Sequence, residues 1–187
     1  MRKDLGVKGG ILPMPVLMIS TFDSEGKINV MNAAWATMLD MKNIIINLAN
    51  GRKTLDNIKT NRAFIISIAD SKHVKEADYF GIVSGNKDSE KFSKTNLNYE
   101  KSKFVNAPII LEFPIAIECK LIKIQNEGNR NLVFGEIVNT SVDENVLNDG
   151  KIDTKKINAL IYDTFNNDYY QIGSKVAKSF SVGKSIN

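Results

Sequence analysis

The fold class that this chain of 187 residues predicts is mainly β: an antiparallel barrel with short helices inserted between strands. Three observations predict it. Short apolar, β-branched runs recur along the chain. They are joined by turn-type residues, as meanders and hairpins. Helical periodicity is confined to brief stretches, which disfavours βαβ units and a doubly wound parallel sheet.

Residues 16–22 are the first apolar run, and Asp23-Ser24-Glu25-Gly26 supplies turn chemistry into a second strand over 27–31. Residues 44–48 are short and almost uninterruptedly apolar, as a strand buried on both faces would be. Phe64, Ile66 and Ile68 alternate with Ile65, Ser67 and Ala69, so one face is strongly apolar. From Ile115 the alternation sets Ile115, Ile117, Cys119 and Leu121 against Ala116, Glu118 and Lys120. It changes phase at Leu121-Ile122, the slip that a β-bulge produces. Asn126-Glu127-Gly128-Asn129 turns the chain into a returning strand over 132–142. The spacing predicts a helix over 54–61 with Thr54 as its N-cap, and a second over 71–83. Two more are expected to begin near Asp88 or Ser89 and near Ser174. No repeat, low-complexity segment or linker divides the chain, so a single domain over 1–187 is expected.

Composition narrows the function classes. A hydrophobic fraction of 43% and a charged fraction of 25% are ordinary for a globular domain. The net charge of +4 is spread without a basic run, so a nucleic-acid arm is not indicated. One cysteine, Cys119, excludes an internal disulfide, a CxxC pair and a cysteine-ligated cluster within one chain. One histidine, His73, excludes a histidine-rich metal site and argues against a Ser-His-Asp triad, so no metal site is expected. His73 reads as a surface or capping residue, and Cys119 as a small hydrophobe. No apolar run has membrane-spanning length and the N-terminus lacks a signal-peptide core, so a cytoplasmic protein is expected.

Chemistry concentrates between Pro13 and Thr54. Gly51-Arg52-Lys53-Thr54 stands at a helix entrance, where unpaired N–H groups and the positive dipole end favour an anion. Arg52 and Lys53 add charge and Thr54 adds a hydroxyl, a set that suits a phosphate. The same residues also fit an ordinary cap after a solvated basic loop, and they lack Walker spacing. Asn32-Ala33-Ala34-Trp35 follows a strand directly; small side chains let a planar ring approach the backbone, and the indole can cover or stack on it. Trp35 equally fits a core or interface aromatic. Ser84-Gly85, with Lys91 beyond, either presents donors to the same ligand or closes a helix with a charged loop after it. The aromatic, polar stretch 162–170 fits a cleft rim as well as packing.

These motifs, taken together, resemble the flavin reductase-like proteins with an FMN-binding split barrel, the flavoredoxin group above all. The matching residues run in order: Pro13-x-Pro15-Val16, Gly26-Lys27-x-Asn29, Asn32-Ala33-Ala34-Trp35, Arg52-Lys53-Thr54 with Asn57-Ile58, and Phe64. Further on come Gly81-x-x-Ser84-Gly85, Glu90-Lys91-Phe92, Pro108-Ile109-Ile110, Glu118-Cys119 and Tyr170-x-x-Gly173. The resemblance implies a six-stranded antiparallel Greek-key split barrel, a homodimer, and FMN near the interface. It places Asn32, Ala33, Ala34 and Trp35 against the ring and ribityl chain. It places Arg52, Lys53 and Thr54 on the phosphate, with Ser84 and Lys91 nearby. No catalytic side chain is implied. The activity implied is an oxidoreductase passing a hydride or electrons from NAD(P)H or a redox protein through FMN. The alternatives are a non-catalytic FMN-binding electron carrier or flavin-binding protein, and a module for another anion such as a nucleotide. One departure counts against a broad flavin-supplying reductase. Many such proteins carry Ser-x-x-Pro-Pro where this chain reads Thr37-Met38-Leu39-Asp40-Met41-Lys42.

Overall fold

The computed structural model describes residues 1–186. Its centre is one antiparallel sheet of β1 (Leu17–Phe22), β2 (Ile28–Ala33), β3 (Ala36–Met38), β4 (Asn43–Ala49), β5 (Ala63–Ile68), β6 (Ile115–Glu127) and β7 (Arg130–Val142). The spatial order is β2-β1-β5-β6-β7-β4-β3. The two outermost strands, β2 and β3, are consecutive in the chain and separated only by Ala34 and Trp35. The sheet must therefore curl until its edges nearly meet, and no ladder closes the seam between them among the described residues. The expected six strands become seven, because residues 36–38 add a short edge strand along β4. Two short helices, α1 (Lys53–Asn61) and α2 (Val74–Ile82), pack on the curled sheet. A hairpin of β8 (Leu160–Asp163) and β9 (Asp168–Gln171) forms a second small sheet with Met14–Pro15.

β1 is buried along its whole length, because each of its faces meets a different core. Leu17 and Ile19 point into the barrel with Ile46, Phe64, Ile66, Cys119 and Val133, and Leu55 and Ile58 of α1 plug one end. Val16 and Met18 point outward beneath Phe80 of α2, Phe92, Ile110 and Phe113. Each such side chain removed from water contributes about 1.5–3 kcal/mol before entropy is charged against it. The phase change at Leu121-Ile122 is the expected bulge: Gly135 pairs with Leu121 and Phe134 with Lys123, so Ile122 is the extra residue. A Cβ on Gly135 would stand 2.5 Å from Phe64 Cζ, so glycine there lets the bent hairpin close on the core.

Four local expectations are corrected. Thr54 is not the cap of α1. Arg52 takes that position with extended backbone and no side-chain capping bond, and Thr54 lies buried in the first turn. The stretch 71–83 is a 3-10 turn over Ser71–His73 followed by α2, whose C-cap is Val83 rather than Gly85. No helix begins at Asp88 or Ser89. Ser93 and Thr95 hydroxyls donate to the carbonyls of Glu90 and Phe92, and Asp88 accepts from Glu90 N–H, so side chains hold successive turns instead. No helix begins at Ser174 either; residues 173–181 are exposed and without regular structure, and an isolated turn has nothing to pack on.

Candidate functional site

The polar residues of β2, the entrance of α1 and the loop after α2 converge on one niche of ≈50 Å³. Asn29 comes from β2, Arg52, Lys53 and Thr54 from the α1 entrance, and Ser84, Gly85 and Lys91 from the loop. Because α1 begins at Lys53, the amide N–H groups of Lys53 and Thr54 precede any intrahelical partner, and none is supplied from elsewhere among the described residues. Asn29 Nδ2 donates to Thr54 Oγ1 at 2.8 Å, which leaves the threonine proton free to donate. Asn86 Nδ2 donates to the Gly51 carbonyl at 2.7 Å, joining the loop to the helix entrance. Gly85 packs so closely on Asn29 that any side chain there would strike the Asn29 amide.

Lys91 is the unusual member. It is only 2% exposed, and its ammonium donates to the Val83 carbonyl at 2.9 Å. Among the described residues no carboxylate lies within ion-pairing distance of it, and Asp88 acts on it only from further off. Burial, with the Arg52 guanidinium beside it, pushes its pKa down to about 8. A buried lysine without an acidic partner is costly, and an anion in the niche would relieve that cost.

The niche opens into a wider cleft of ≈380 Å³, and Met31, Asn32, Arg52 and Gly81 line both. Ala33, Ala34 and Trp35 form one wall, Asn47, Leu48 and Ala49 of β4 the floor, and Arg130, Tyr162, Asn167 and Tyr169 the far rim. Trp35 is not a core residue; it is 56% exposed at the cleft. Asn32 is braced by donating to the Ala77 carbonyl at 3.0 Å, and its Nδ2 lies 3.5 Å from the Tyr169 hydroxyl. Tyr169 donates in turn to Asp78 Oδ1 at 3.0 Å, and burial together with that carboxylate pushes the phenol up to about 12. A larger groove of ≈610 Å³ lies elsewhere, between residues 148–155 and 172–175; its polar groups are exposed or half-buried.

All nine residues singled out in the sequence thus fall on one continuous surface: Asn32, Ala33, Ala34 and Trp35 on the cleft, and Lys53, Thr54, Ser84 and Lys91 on the niche. Arg52 lies where the two meet. His73 stands at the N-cap position of α2 without a side-chain capping bond; its Nδ1 lies 2.7 Å from Oδ1 of Asp70, which caps the preceding turn. Cys119 is buried, and burial with the Glu118 charge nearby pushes its thiol up to about 12. Sequence reasoning missed Asn47, Asp78 and Arg130. Asn47 carried a signal, being the one polar residue in the run 44–48, whereas Asp78 and Arg130 are brought to the cleft only by tertiary folding.

Comparison with known proteins gives the family and the fold. Residues 9–172 match the family model described as flavin reductase like domain, and the chain belongs to that family. The fold is accordingly the split barrel of flavin reductase-like proteins. The chain is similar to the flavoredoxin of Desulfovibrio vulgaris (Miyazaki F), with 35% identity, a TM-score of 0.92, and coverage of 98% of this chain and 100% of that one. It is also similar to the flavoredoxin of Methanosarcina acetivorans, with 26% identity, a TM-score of 0.89 and complete coverage of both chains. An uncharacterised protein of Archaeoglobus fulgidus is 31% identical over 129 residues, 68% of this chain and 72% of that protein.

Proposed function

We propose that the protein is an FMN-binding oxidoreductase of the flavin reductase and flavoredoxin type, its whole chain acting as one domain. It would pass a hydride or electrons from NAD(P)H or a redox protein to an acceptor. One observation carries the reading. A small niche lined by Arg52, Lys53, Thr54, Ser84 and the buried Lys91 opens directly into a broad cleft walled by bare backbone and an indole. That is the shape of a phosphate joined to a flat ring.

Bound FMN would supply a ring that accepts a hydride or single electrons. The residues of this chain bind and orient. The amides of Lys53 and Thr54, the Thr54 hydroxyl and the charges of Arg52, Lys53 and Lys91 would hold the phosphate. Ala33 and Ala34 keep the wall low enough for a ring to lie against peptide, and Trp35 would shield its outer edge. Asn32, fixed by Ala77 and Tyr169, would face the ribityl chain. The chemistry needs no side-chain nucleophile or base.

A homodimer completes the reading. Ile11, Val176 and Phe180 project from the two terminal segments, and Met38, Leu39 and Met41 stand exposed close to Trp35 along the chain. A second copy would cover these apolar groups.

The test is direct. Purified protein is expected to be yellow or to gain thermal stability with FMN, to sediment as a dimer, and to oxidise NADH or NADPH when loaded. Colourless protein whose melting temperature FMN does not move overturns the reading. Flavin binding without turnover on either nucleotide assigns an electron carrier instead.

A further inference from the structure

The niche and the cleft differ sharply in size, ≈50 Å³ against ≈380 Å³. Pockets that take a whole small molecule run to about 300–1,000 Å³, so the cleft has room for one and the niche only for a terminal group. Of the niche residues that the cleft does not share, Val83, Ser84 and Gly85 form one segment, and several ties hold it in place. The Val83 carbonyl accepts from Lys91 Nζ at 2.9 Å. The Ser84 carbonyl accepts from the N–H groups of Lys87 and Asp88, both at 3.0 Å. Gly85 is pressed on the α1 entrance: a Cβ there would stand 3.3 Å from Lys53 Cβ, besides striking the Asn29 amide. Asn86 Nδ2 then donates across to the Gly51 carbonyl at 2.7 Å. Gly51 and Asn86 do not line the niche, but each adjoins a residue that does, Arg52 and Gly85, so their bond closes the wall from outside.

We infer that the segment 83–86 is an end stop: the niche takes a terminal phosphate monoester and refuses a phosphate that carries a further group, so the site selects FMN and excludes flavin adenine dinucleotide. This rests on the proposed function and adds Asn86 to it as the positioning residue behind that selectivity. The chemistry of the lining agrees. A monoester is close to a dianion at neutral pH and offers three terminal oxygens, whereas a bridged phosphate keeps fewer oxygens and less charge. Arg52 and Lys91 have no carboxylate in ion-pairing contact among the described residues, while Lys53 Nζ stands 3.7 Å from Asp23. The amides of Lys53 and Thr54 and the Thr54 hydroxyl add donors enough for three oxygens. A bridged phosphate would leave part of this set unmatched. Its second half would also need the segment to lift off α1, undoing the Asn86–Gly51 bond and the Gly85 contact.

The experiment measures dissociation constants of FMN, flavin adenine dinucleotide and riboflavin by isothermal titration, for the wild-type protein and for Asn86→Ala. The wild type is expected to bind FMN at least about tenfold more tightly than the dinucleotide, the loss that accompanies one unmatched hydrogen bond to a charged group. In Asn86→Ala that ratio is expected to shrink about fivefold, because the dinucleotide gains affinity once the bond to Gly51 is gone, while riboflavin affinity stays level. A merely structural Asn86 would weaken all three ligands together and leave the ratio unchanged, which overturns the inference. A wild-type ratio below about tenfold overturns it as well, and that comparison decides the matter even if the variant fails to fold. Failure of the wild type to bind either FMN or riboflavin overturns the flavin reading and this inference with it. Equal binding of FMN and the dinucleotide overturns this inference alone.

Discussion

The side-chain amide of Asn29 donates to Thr54 Oγ1 at 2.8 Å, while the oxygen of the same amide blocks any side chain at residue 85. One asparagine thus joins the second strand, the entrance of the first helix and the loop after the second helix. The relative positions of these three segments set the niche, so substitutions on any of them have separable expected outcomes.

Arg52 and Thr54 touch the niche through charge and hydroxyl, and Arg52 alone of the two also reaches the cleft. Replacing either with alanine is expected to weaken FMN by about tenfold or more, because hydrogen bonds to charged groups contribute about 1.5–3 kcal/mol. Riboflavin, which lacks the phosphate, should lose much less. Isothermal titration with both ligands measures the ratio; equal losses would mean that the phosphate does not lie there.

Lys91 predicts two opposite pH dependences. With its pKa pushed down to about 8 in the ligand-free fold, the ammonium is charged below that pH and is lost to a phosphate above it. FMN affinity should therefore decline as pH rises past about 8, whereas riboflavin affinity stays level. Stability of the ligand-free protein runs the other way. The unfolded chain keeps its lysine protonated up to the ordinary value of 10.5, so between about 8 and 10.5 it binds more protons than the fold does. The fold therefore gains stability with rising pH across that window. Lys91→Met should flatten both curves, in flavin titrations and in urea unfolding.

Gly85→Ala is expected to displace Asn29, because the added methyl would occupy the space of its amide. Overpacking of this kind costs about 1–3 kcal/mol. The melting temperature should fall, and FMN affinity should fall further than riboflavin affinity. Gly150→Ala, at a turn with nothing close to its would-be Cβ, provides a control for backbone strain alone, since its φ is +72°.

Glu118 is 1% exposed and has no cation in ion-pairing contact among the described residues; three side chains donate to it instead. Asn139 Nδ2 (2.6 Å) and Ser141 Oγ (3.4 Å) bond to one carboxylate oxygen, and Ser102 Oγ to the other. Ser102 in turn accepts the N–H groups of Phe104 and Val105, so the carboxylate anchors the 99–110 segment to the sheet. Glu118→Ala leaves these donors unmatched at about 1–3 kcal/mol for each that water cannot reach. It should destabilise the protein more than Cys119→Ala at the next position. A loss no larger than that of Cys119→Ala in denaturant melts would show that water replaces the carboxylate.

The strands and most of the site were legible because their signals are local. The period-two pattern from Ile115, its phase change at Ile122 and the turn at Gly128 needed no tertiary information, and each is found in the fold. The order of small residues and an indole at Asn32–Trp35, then a basic helix entrance at Arg52–Thr54, was equally visible, since the link between edge strands and a helix entrance both follow short-range rules. What escaped was decided at a distance. Thr54 has the chemistry of a cap, yet Asn29 reaches it from another strand, and the backbone of Arg52 opens the helix. Residues 88–95 carry helix-compatible side chains, but their hydroxyls bind nearby carbonyls. Lys91 is marked in the sequence as a charge that could meet the ligand, but its burial shows only once the packing of Phe80 and Phe92 encloses it.

Trp35 is the only tryptophan in the chain, and it stands exposed on the wall of the cleft. Its ultraviolet emission therefore comes from a single known place, with no other indole to dilute it. A light-absorbing guest settling beside it would dim that glow in proportion to occupancy. The molecule carries its own optical gauge for whatever enters, readable without a dye, a label or an engineered substitution.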